Sequence, residues 1–188
     1  EWLTIPVKIS GKFGQNICDV EISVQQFPKK QIKSLHHNYS KSKYFNEYWQ
    51  HFEDIFHSSQ NLNSLVTINV KIIKFICKLM GITTKTVMAS NFESIQGRSE
   101  RLIQLIKKTG STNYVSPIGS KNYLVKDINA FKDSNISIFF HQFTPPTYNQ
   151  LYHPFIQGAS VIDILFNHGA DWTSKLIRKN RLNPQKFI

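Results

Sequence analysis

The sequence predicts an α/β fold, a single domain over residues 1–188 with a small, mainly parallel sheet flanked by helices and a helical insertion at about residues 27–80. Three observations support this. A chain of 188 residues with 40% hydrophobic and 13% aromatic residues can bury a globular core. Between residues 27 and 80 apolar residues recur at helical spacing. After residue 85, short β-branched runs alternate with a helical pattern, as in parallel sheets.

The first 24 residues predict two strands. Residues 3–9 are rich in β-branched residues, and Pro6 assigns this strand to an edge or an irregular position. Val20, Ile22 and Val24 alternate with polar residues, which is the period of a half-buried strand. Because the chain opens with Glu1 directly before an apolar element, we expect an N-terminally incomplete fragment.

Three helices are predicted in the insertion. Apolar residues at helical spacing cover residues 32–39 and 44–56, and a polar break at 40–42 separates the two patterns. Residues 62–80 form the most regular pattern, with a wide apolar face and a polar stripe of Lys71, Lys74 and Lys78. Gly81 is placed to end this helix. The three lysines argue against a membrane helix, and no apolar run reaches spanning length.

The second half of the chain predicts the sheet. Residues 85–89, 113–116 and 136–140 have strand character, and residues 98–108 form a helical pattern that ends before Gly110. A turn is expected at 117–120, with a helical or irregular segment near 123–124. Ser160, Asp163 and Asn167 then share one face of a last predicted helix.

The net charge of +11 suggests a nucleic-acid partner, but the kinds of basic residues that produce this charge do not. Nineteen of the 23 basic residues are Lys, four are Arg, and 15 residues are Asn. Nucleic-acid sites favour clustered charge and arginine, so we expect no nucleic-acid partner. Residues 175–188 form a basic tail, which is either a solvated segment or an arm that attracts anions. No secretory signal is visible, which predicts a cytoplasmic protein.

The cysteines and histidines predict neither a metal nor a cofactor. Cys18 and Cys77 are too few for a disulfide framework and lack C-x-x-C spacing, so free thiols are expected. His36 and His37 are adjacent and face different directions on a helix. No H-x-x-x-H or H-E-x-x-H pattern occurs in the sequence.

Two segments are candidate anion sites. Ser116, Gly119 and Lys121 follow a predicted strand, where backbone N–H groups and a cation could face a phosphate or carboxylate; the alternative is a plain turn. Arg98 and Arg101 are three residues apart at a helix start and could form an anion clamp; the alternative is a solvated first turn.

Two residues are candidate catalytic groups. His141 follows the predicted 136–140 strand, where a general acid–base could lie. Asp163 lies in an apolar run, so if it is buried its carboxylate must be hydrogen-bonded, paired or shifted in pKa. The alternatives are a structural histidine and a face that points to solvent.

The chain resembles the WbqC-like family along nearly its whole length, most specifically between residues 148 and 169. The resembling segments are Trp2-Leu3-Thr4-Ile5-Pro6-Val7, Asn38-Tyr39, Tyr44-Phe45, Glu100-Arg101-Leu102-Ile103, Tyr114-Val115-Ser116, Gly119, Lys121, Tyr123-Leu124 and Tyr148 to Gly169. The family's N-terminal His-Gln-Pro-x-Tyr segment is absent here, and Pro117 and Ser120 replace residues of a Ser-Gly pairing and a second glycine, which stiffens that loop.

The resemblance implies a bacterial protein of O-antigen or lipopolysaccharide biosynthesis. It implies a transferase that moves an amino-acid or acyl group to an amino sugar, with a small-molecule substrate of the nucleotide-sugar class. Arg98, Arg101 and Lys121 suit an anion site, and His141 or Asp163 suits a base near the amine. Further substrate-binding candidates come from the strand end and the C-terminal block: Ser116, Gly119, Tyr148, Gln150, Tyr152 and Asn167. The alternative is a non-catalytic scaffold in which the 148–169 block is a partner surface, with an exposed apolar patch.

Overall fold

The structure is a computed structural model that describes residues 2–23, 27–60, 63–93 and 97–188. The chain folds into two compact units. The first, here called the helical unit, comprises residues 1–84 and 146–177; the second, the sheet unit, comprises residues 85–145 and 178–188. The predicted class is confirmed, because helices flank a small three-stranded sheet.

The helices and strands have the following bounds. The helices are α1 (Lys29–Tyr39), α2 (Phe45–Gln60), α3 (Leu65–Leu79), α4 (Arg98–Lys108), α5 (Lys121–Leu124), α6 (Ile128–Asp133), α7 (Val161–His168) and α8 (Ala170–Lys179). The strands are β1 (Asn113–Pro117), β2 (Ser137–His141) and β3 (Gln185–Lys186). Short 3-10 helices cover Ile17–Asp19, Ala89–Asn91 and Ile118–Ser120.

In the helical unit, α1, α2 and α3 confirm the predicted insertion. Each helix has an apolar face, and these faces meet in a core of aromatic and aliphatic side chains. Ser64 begins α3 because its hydroxyl accepts a hydrogen bond from the Thr67 N–H, and Gly81 follows the end of the helix at φ +63°. Two groups of side chains form the core: Ile22, Phe27, Leu35, Phe56 and Ile68, and Phe45, Tyr48, Phe52 and Phe166.

Phe166 holds α7 against α1 and α2. Its ring is fully buried and lies 5.2–5.5 Å from the rings of Tyr39, Phe45 and Phe52. The Tyr44 N–H also donates to the Phe166 carbonyl at 2.9 Å. These contacts place the first turn of α7, which carries an acidic residue, directly beside the end of α1.

Gly169 separates α7 from α8. Its φ of +80° favours glycine, and a Cβ there would lie 2.9 Å from the Tyr44 ring. The Ala170 N–H that follows donates to the Tyr48 hydroxyl at 2.9 Å. Glycine is therefore required both by the backbone and by the packing at this corner.

The sheet unit is a parallel β-α-β arrangement with one added strand. β1 and β2 are parallel, with Ser116 opposite Phe140 and Pro117 opposite His141, and α5 and α6 connect them. β3 pairs antiparallel with β2, so the sheet is mixed. Its core is formed by residues of α4, α5, α6 and β2 and by the residue just before β2: Ile103, Ile106, Leu124, Phe131, Ile138, Phe140 and Ile136.

β3 lies within the predicted basic tail. The Phe187 ring contacts the Phe140 ring at 5.2 Å, and the Phe187 N–H donates to the Ile138 carbonyl. The side chains of Gln185 and Lys186 are exposed. The backbone at the end of this segment therefore belongs to the sheet, while its polar side chains lie in solvent.

The predicted strand at 85–89 is wrong. Within the described range 63–93, residues 82–88 have no regular secondary structure, and residues 81–91 are exposed. A β-branched run forms a strand only where a neighbouring strand completes its hydrogen bonds, and this run has no neighbour in the described chain.

The two predicted N-terminal strands are reduced to isolated bridges. Val7 pairs with Ile22, and Glu21 pairs with Ser64. A ladder does not continue beyond Val7 because Pro6 lacks an N–H donor. Val24 and Leu62, which belonged to a predicted strand and a predicted helix, lie outside the described residues.

Candidate functional site

Asp163 is a buried carboxylate in the first turn of α7. It is 9% exposed, and the Tyr148 hydroxyl donates to its Oδ2 at 2.8 Å. The Tyr39 side chain, at the end of α1, lies close enough to this carboxylate for its charge to raise the pKa of the Tyr39 hydroxyl. Ser160 caps α7 by accepting a hydrogen bond from the Ile162 N–H. We call Tyr39, Tyr148 and Asp163 the Tyr–Asp cluster.

Gln150 fixes the position of Tyr148. Its Nε2 donates to the Tyr148 hydroxyl oxygen at 3.3 Å and to the Ile156 carbonyl at 3.0 Å, while its Oε1 accepts from the Ile156 N–H at 2.7 Å. Asn167 donates from Nδ2 to the Asp163 carbonyl at 2.8 Å, so it contacts the backbone of the cluster. Tyr148, Gln150, Asp163 and Asn167 thus form one hydrogen-bonded set.

Both tyrosines of the cluster are neutral at physiological pH. Burial, together with the hydrogen bond to Asp163 and its charge, raises the pKa of Tyr148 to about 12, against a lowering contribution from the Gln150 hydrogen bond. Burial, with the nearby charge of Asp163, raises the pKa of Tyr39 well above its usual range. At neutral pH both hydroxyls therefore keep their protons, and Tyr148 donates its proton in a hydrogen bond to the carboxylate.

Tyr148 lines a cavity of about 350 Å³. The cavity is formed by the loop before α7, and its lining residues are Thr147, Tyr148, Asn149, Gln150, His153 and Phe155. The Phe155 ring meets the Tyr148 ring edge-on at 5.6 Å. This volume lies within the range of small-molecule sites.

Two histidines near this cavity, His153 and His168, are not among the predicted site residues. His153 is exposed and lines the cavity. The His168 ring stacks on Trp172 at 4.0 Å, meets the Tyr148 ring edge-on at 5.7 Å, and its Nε2 lies 2.8 Å from the Asn149 carbonyl oxygen. Their one sequence signal is that both fall within the 148–169 block.

Tyr152 belongs to a different part of the surface. Its side chain is 56% exposed and lines a second cavity, with residues of α1 and α2. Tyr148 and Phe155 are instead half-buried and contact each other. The three residues therefore do not form the exposed apolar patch that the scaffold hypothesis expects.

In the sheet unit, the strand-end hydroxyls bind each other. The Ser116 and Ser120 hydroxyl oxygens, both buried, lie 2.7 Å apart, and the Ser120 hydroxyl donates to the Pro117 carbonyl. Gly119 is exposed, and a Cβ there would meet nothing within 4 Å. Each hydroxyl of the predicted anion loop thus already has a partner within the loop.

Two of the three predicted cations of the sheet unit lie over aromatic rings. The Arg98 guanidinium lies 3.7 Å from the centroid of the Tyr123 ring, and the Lys121 Nζ lies 5.4 Å from that of Phe187. Arg101 is exposed on α4. His141, half-buried, is the last residue of β2 and not the residue after the strand, and it lies at the same edge where β1 ends.

The predicted site residues are thus divided between the units. Asp163, Tyr148, Gln150 and Asn167 come together in the helical unit, where Tyr152 lines a separate cavity. The others belong to the sheet unit: Arg98, Arg101, Ser116, Gly119, Lys121 and His141. Their convergence with Asp163 on one pocket stays a prediction.

The described residues contain neither a metal site nor a membrane span. Within the described ranges no group of three or more His, Cys, Asp or Glu is arranged to hold a metal ion. No helix in the part of the chain that the structure describes is long and apolar enough to cross a membrane. Cys18 and Cys77 are free thiols.

The fold and the cluster define an α/β protein with a buried carboxylate beside a small-molecule-sized cavity. Residues 1–175 match the WbqC-like protein family, and the chain belongs to this family. It is 30% identical over 172 residues to the uncharacterized protein Rv1507c of Mycobacterium tuberculosis, covering 91% of this chain and 73% of that protein. No solved structure matches it.

Proposed function

We propose that this protein is a cytoplasmic bacterial enzyme of O-antigen or lipopolysaccharide biosynthesis that transfers an amino-acid or acyl group to the amino group of a nucleotide-linked amino sugar. One observation carries the proposal: the Tyr148 hydroxyl borders a cavity and donates to the buried Asp163 carboxylate. Such a pair can accept a proton from a bound amine and transfer it to a carboxylate that is shielded from water.

The proposed step moves one proton. When the amine nitrogen attacks the acyl carbon, the new C–N bond leaves the nitrogen positively charged, and the leaving group departs with the electron pair of its bond to the acyl carbon. The nitrogen proton passes to the Tyr148 oxygen while the Tyr148 proton passes to Asp163 Oδ2, 2.8 Å away. Tyr148, with a pKa of about 12, relays the proton as a neutral phenol, and Asp163 is the base.

The other cluster residues position this pair. Gln150 holds the Tyr148 hydroxyl and the loop at Ile156, and Asn167 holds the Asp163 backbone. His153, exposed at the cavity, can contact the sugar or its substituent. These are supporting roles, because none of these groups replaces the carboxylate as proton acceptor.

The sheet-unit candidates remain part of the proposal. Arg98, Arg101 and Lys121 supply positive charge for an anionic group of the substrate, and Ser116 and Gly119 are proposed contacts at the end of β1. His141 is the alternative base. Which base acts is decided by substitution, since replacing the true base lowers the rate without abolishing binding.

The first experiment compares Tyr148→Phe with wild type in calorimetric titrations. The ligands are a nucleotide-linked amino sugar and its analogue with a hydroxyl in place of the amine. We expect wild type to bind the amino sugar, and Tyr148→Phe to bind it about tenfold more weakly, since a hydrogen bond to a charged group is worth about 1.5–3 kcal/mol.

Tyr48→Phe is the matched control. Tyr48 is a buried tyrosine of the same unit whose hydroxyl accepts a hydrogen bond from the Ala170 N–H. Tyr48→Phe removes an equivalent buried hydroxyl from outside the cavity, so binding should not change. The proposal fails if wild type binds no amino sugar, or if Tyr148→Phe binds it as wild type does. Tight binding without transfer in the presence of acyl donors would instead support the non-catalytic alternative.

A further inference from the structure

A second cavity of about 570 Å³ lies between α1 and α2 in the helical unit. α1 lines it with one helical face, on which Lys29, Lys33 and His36 follow each other at spacings of four and three residues. α2 lines it with Trp49 and His57, eight residues apart on its own face. The cavity is therefore built by two helices whose facing surfaces both carry basic or aromatic side chains.

The charge in this cavity is unbalanced. Lys29, Lys33 and Lys41 line it, against a single carboxylate, Glu53. Ion pairs in the described residues join Lys8 and Lys12 to Glu21, and none involves the lysines of the cavity. Three ammonium groups that have no ionic partner within the described chain, placed around a concave surface, favour a ligand with more than one negative charge.

The cavity wall also contains an aromatic ring, that of Trp49. Phe45 stacks on the Trp49 indole at 4.9 Å with an interplanar angle of 21°, and the His36 ring meets Trp49 edge-on at 5.3 Å. These contacts hold the half-buried indole in one orientation at the cavity, beside Ile32. A rigid aromatic ring next to a cationic cluster suits a ligand with a planar ring and an anionic group.

We propose that the cavity between α1 and α2 binds a nucleoside diphosphate, with the phosphates against Lys29, Lys33 and Lys41 and the base against Trp49. Glu53 is then the acceptor for a ribose hydroxyl, as acidic residues are in other nucleotide sites. A volume of about 570 Å³ lies within the range of small-molecule sites.

The loop before α7 connects this cavity to the Tyr–Asp cluster. Tyr152 lines the α1–α2 cavity, while its neighbours Gln150 and His153 line the cavity at Tyr148. A ligand with a nucleotide half and a sugar half can thus contact both sides of one loop. This part of the inference rests on the proposed function; nucleotide binding itself does not.

The experiment titrates the full chain with UDP and with ADP, following heat and tryptophan fluorescence. We expect binding of at least one of them, weaker binding of pyrophosphate or uridine alone, and weakening as salt is raised from about 50 to about 300 mM. Lys33→Glu should weaken binding at least about tenfold. Lys74→Glu, the same charge change at an exposed position of α3, should weaken it less than twofold.

Trp49→Leu tests the ring contact. We expect about tenfold weaker nucleotide binding but unchanged pyrophosphate binding, which a general loss of folding would not produce. Asp163→Asn should bind UDP as wild type does, so loss of transfer and loss of nucleotide binding are separable. The proposal is overturned if neither nucleotide binds at millimolar concentration, or if Lys33→Glu and Lys74→Glu weaken binding equally. Binding of a single-stranded oligonucleotide without binding of mononucleotides would also overturn it.

Discussion

The loop before α7 and the loop after β1 both carried predicted site residues, and their hydroxyl groups have different partners. In the first, the Tyr148 hydroxyl donates to the buried carboxylate of Asp163. In the second, the hydroxyls of Ser116 and Ser120 bind each other and the backbone. A polar segment has acid–base capacity only where its hydrogen bonds lead to a titratable group. The following predictions test this difference, from the largest expected effect to the smallest.

Asp163→Ala should lower the free energy of unfolding by about 2–3 kcal/mol. The half-buried Tyr148 hydroxyl loses its charged acceptor, and a hydrogen bond to a charged group is worth about 1.5–3 kcal/mol. The comparison is Asp127→Ala in the sheet unit, where an exposed carboxylate accepts one hydrogen bond, from the Ser99 hydroxyl at 2.5 Å. Urea unfolding of Asp127→Ala should show a loss of about 1 kcal/mol in the free energy of unfolding. Equal losses would show that the Tyr–Asp cluster is not distinct from the single Ser99–Asp127 hydrogen bond.

Gly169→Ala should lower the free energy of unfolding by about 2 kcal/mol. Its φ of +80° is strained for alanine, and the added Cβ would lie 2.9 Å from the Tyr44 ring. Gly119→Ala, in the loop after β1, should change stability by less than about 0.5 kcal/mol, since its surroundings are open. Thermal unfolding of the two glycine variants measures these changes in stability. A neutral Gly169→Ala would contradict the described corner between α7 and α8.

Tyr148→Phe should lower the free energy of unfolding by about 1 kcal/mol, because one hydrogen bond to Asp163 is lost while the ring remains packed on Phe155. Ser116→Ala should lower the free energy of unfolding by a similar or smaller amount, since its hydroxyl contacts other hydroxyls. Chemical denaturation of both variants checks this. A loss for Ser116→Ala well above that for Tyr148→Phe would reverse the contrast between the two loops.

Alkaline titration should separate Tyr148 from ordinary tyrosines. Its folded pKa, about 12, lies above the unfolded value near 10, so its contribution to stability is complete below pH 10 and is lost as the pH rises through 12. The absorbance difference between wild type and Tyr148→Phe should therefore develop near pH 12. A difference that develops near pH 10 would show that the hydroxyl is exposed and not bonded to Asp163.

The sequence predicted elements whose stabilising contacts are local. The helices of residues 27–80 follow from apolar spacing, and the α7 face with Asp163 and Asn167 follows from helical periodicity. The Tyr39–Asp163 contact could not be predicted, since its partners lie on helices far apart in the chain. Nor could the two-residue β3, which is too short to show a period.

The wrong strand prediction also results from contacts between distant parts of the chain. Residues 85–89 have strand composition, but a strand depends on a neighbour that local sequence does not specify. Likewise, no pattern shows that Tyr152 and His153, adjacent in sequence, line different cavities. The local chemistry could therefore be predicted from the sequence, whereas the long-range contacts that assemble these residues into a site could not.

The rate of acyl or aminoacyl transfer by Asp163→Asn tests the central claim most directly. The substitution keeps one oxygen as a hydrogen-bond acceptor for Tyr148 but removes the base, so a nucleotide-linked amino sugar should still bind within about threefold of wild type. Transfer at saturating substrate should fall by about 10²–10⁴, the usual contribution of a general base. Transfer by Asp163→Asn within twofold of the wild-type rate would contradict the account and assign the base elsewhere.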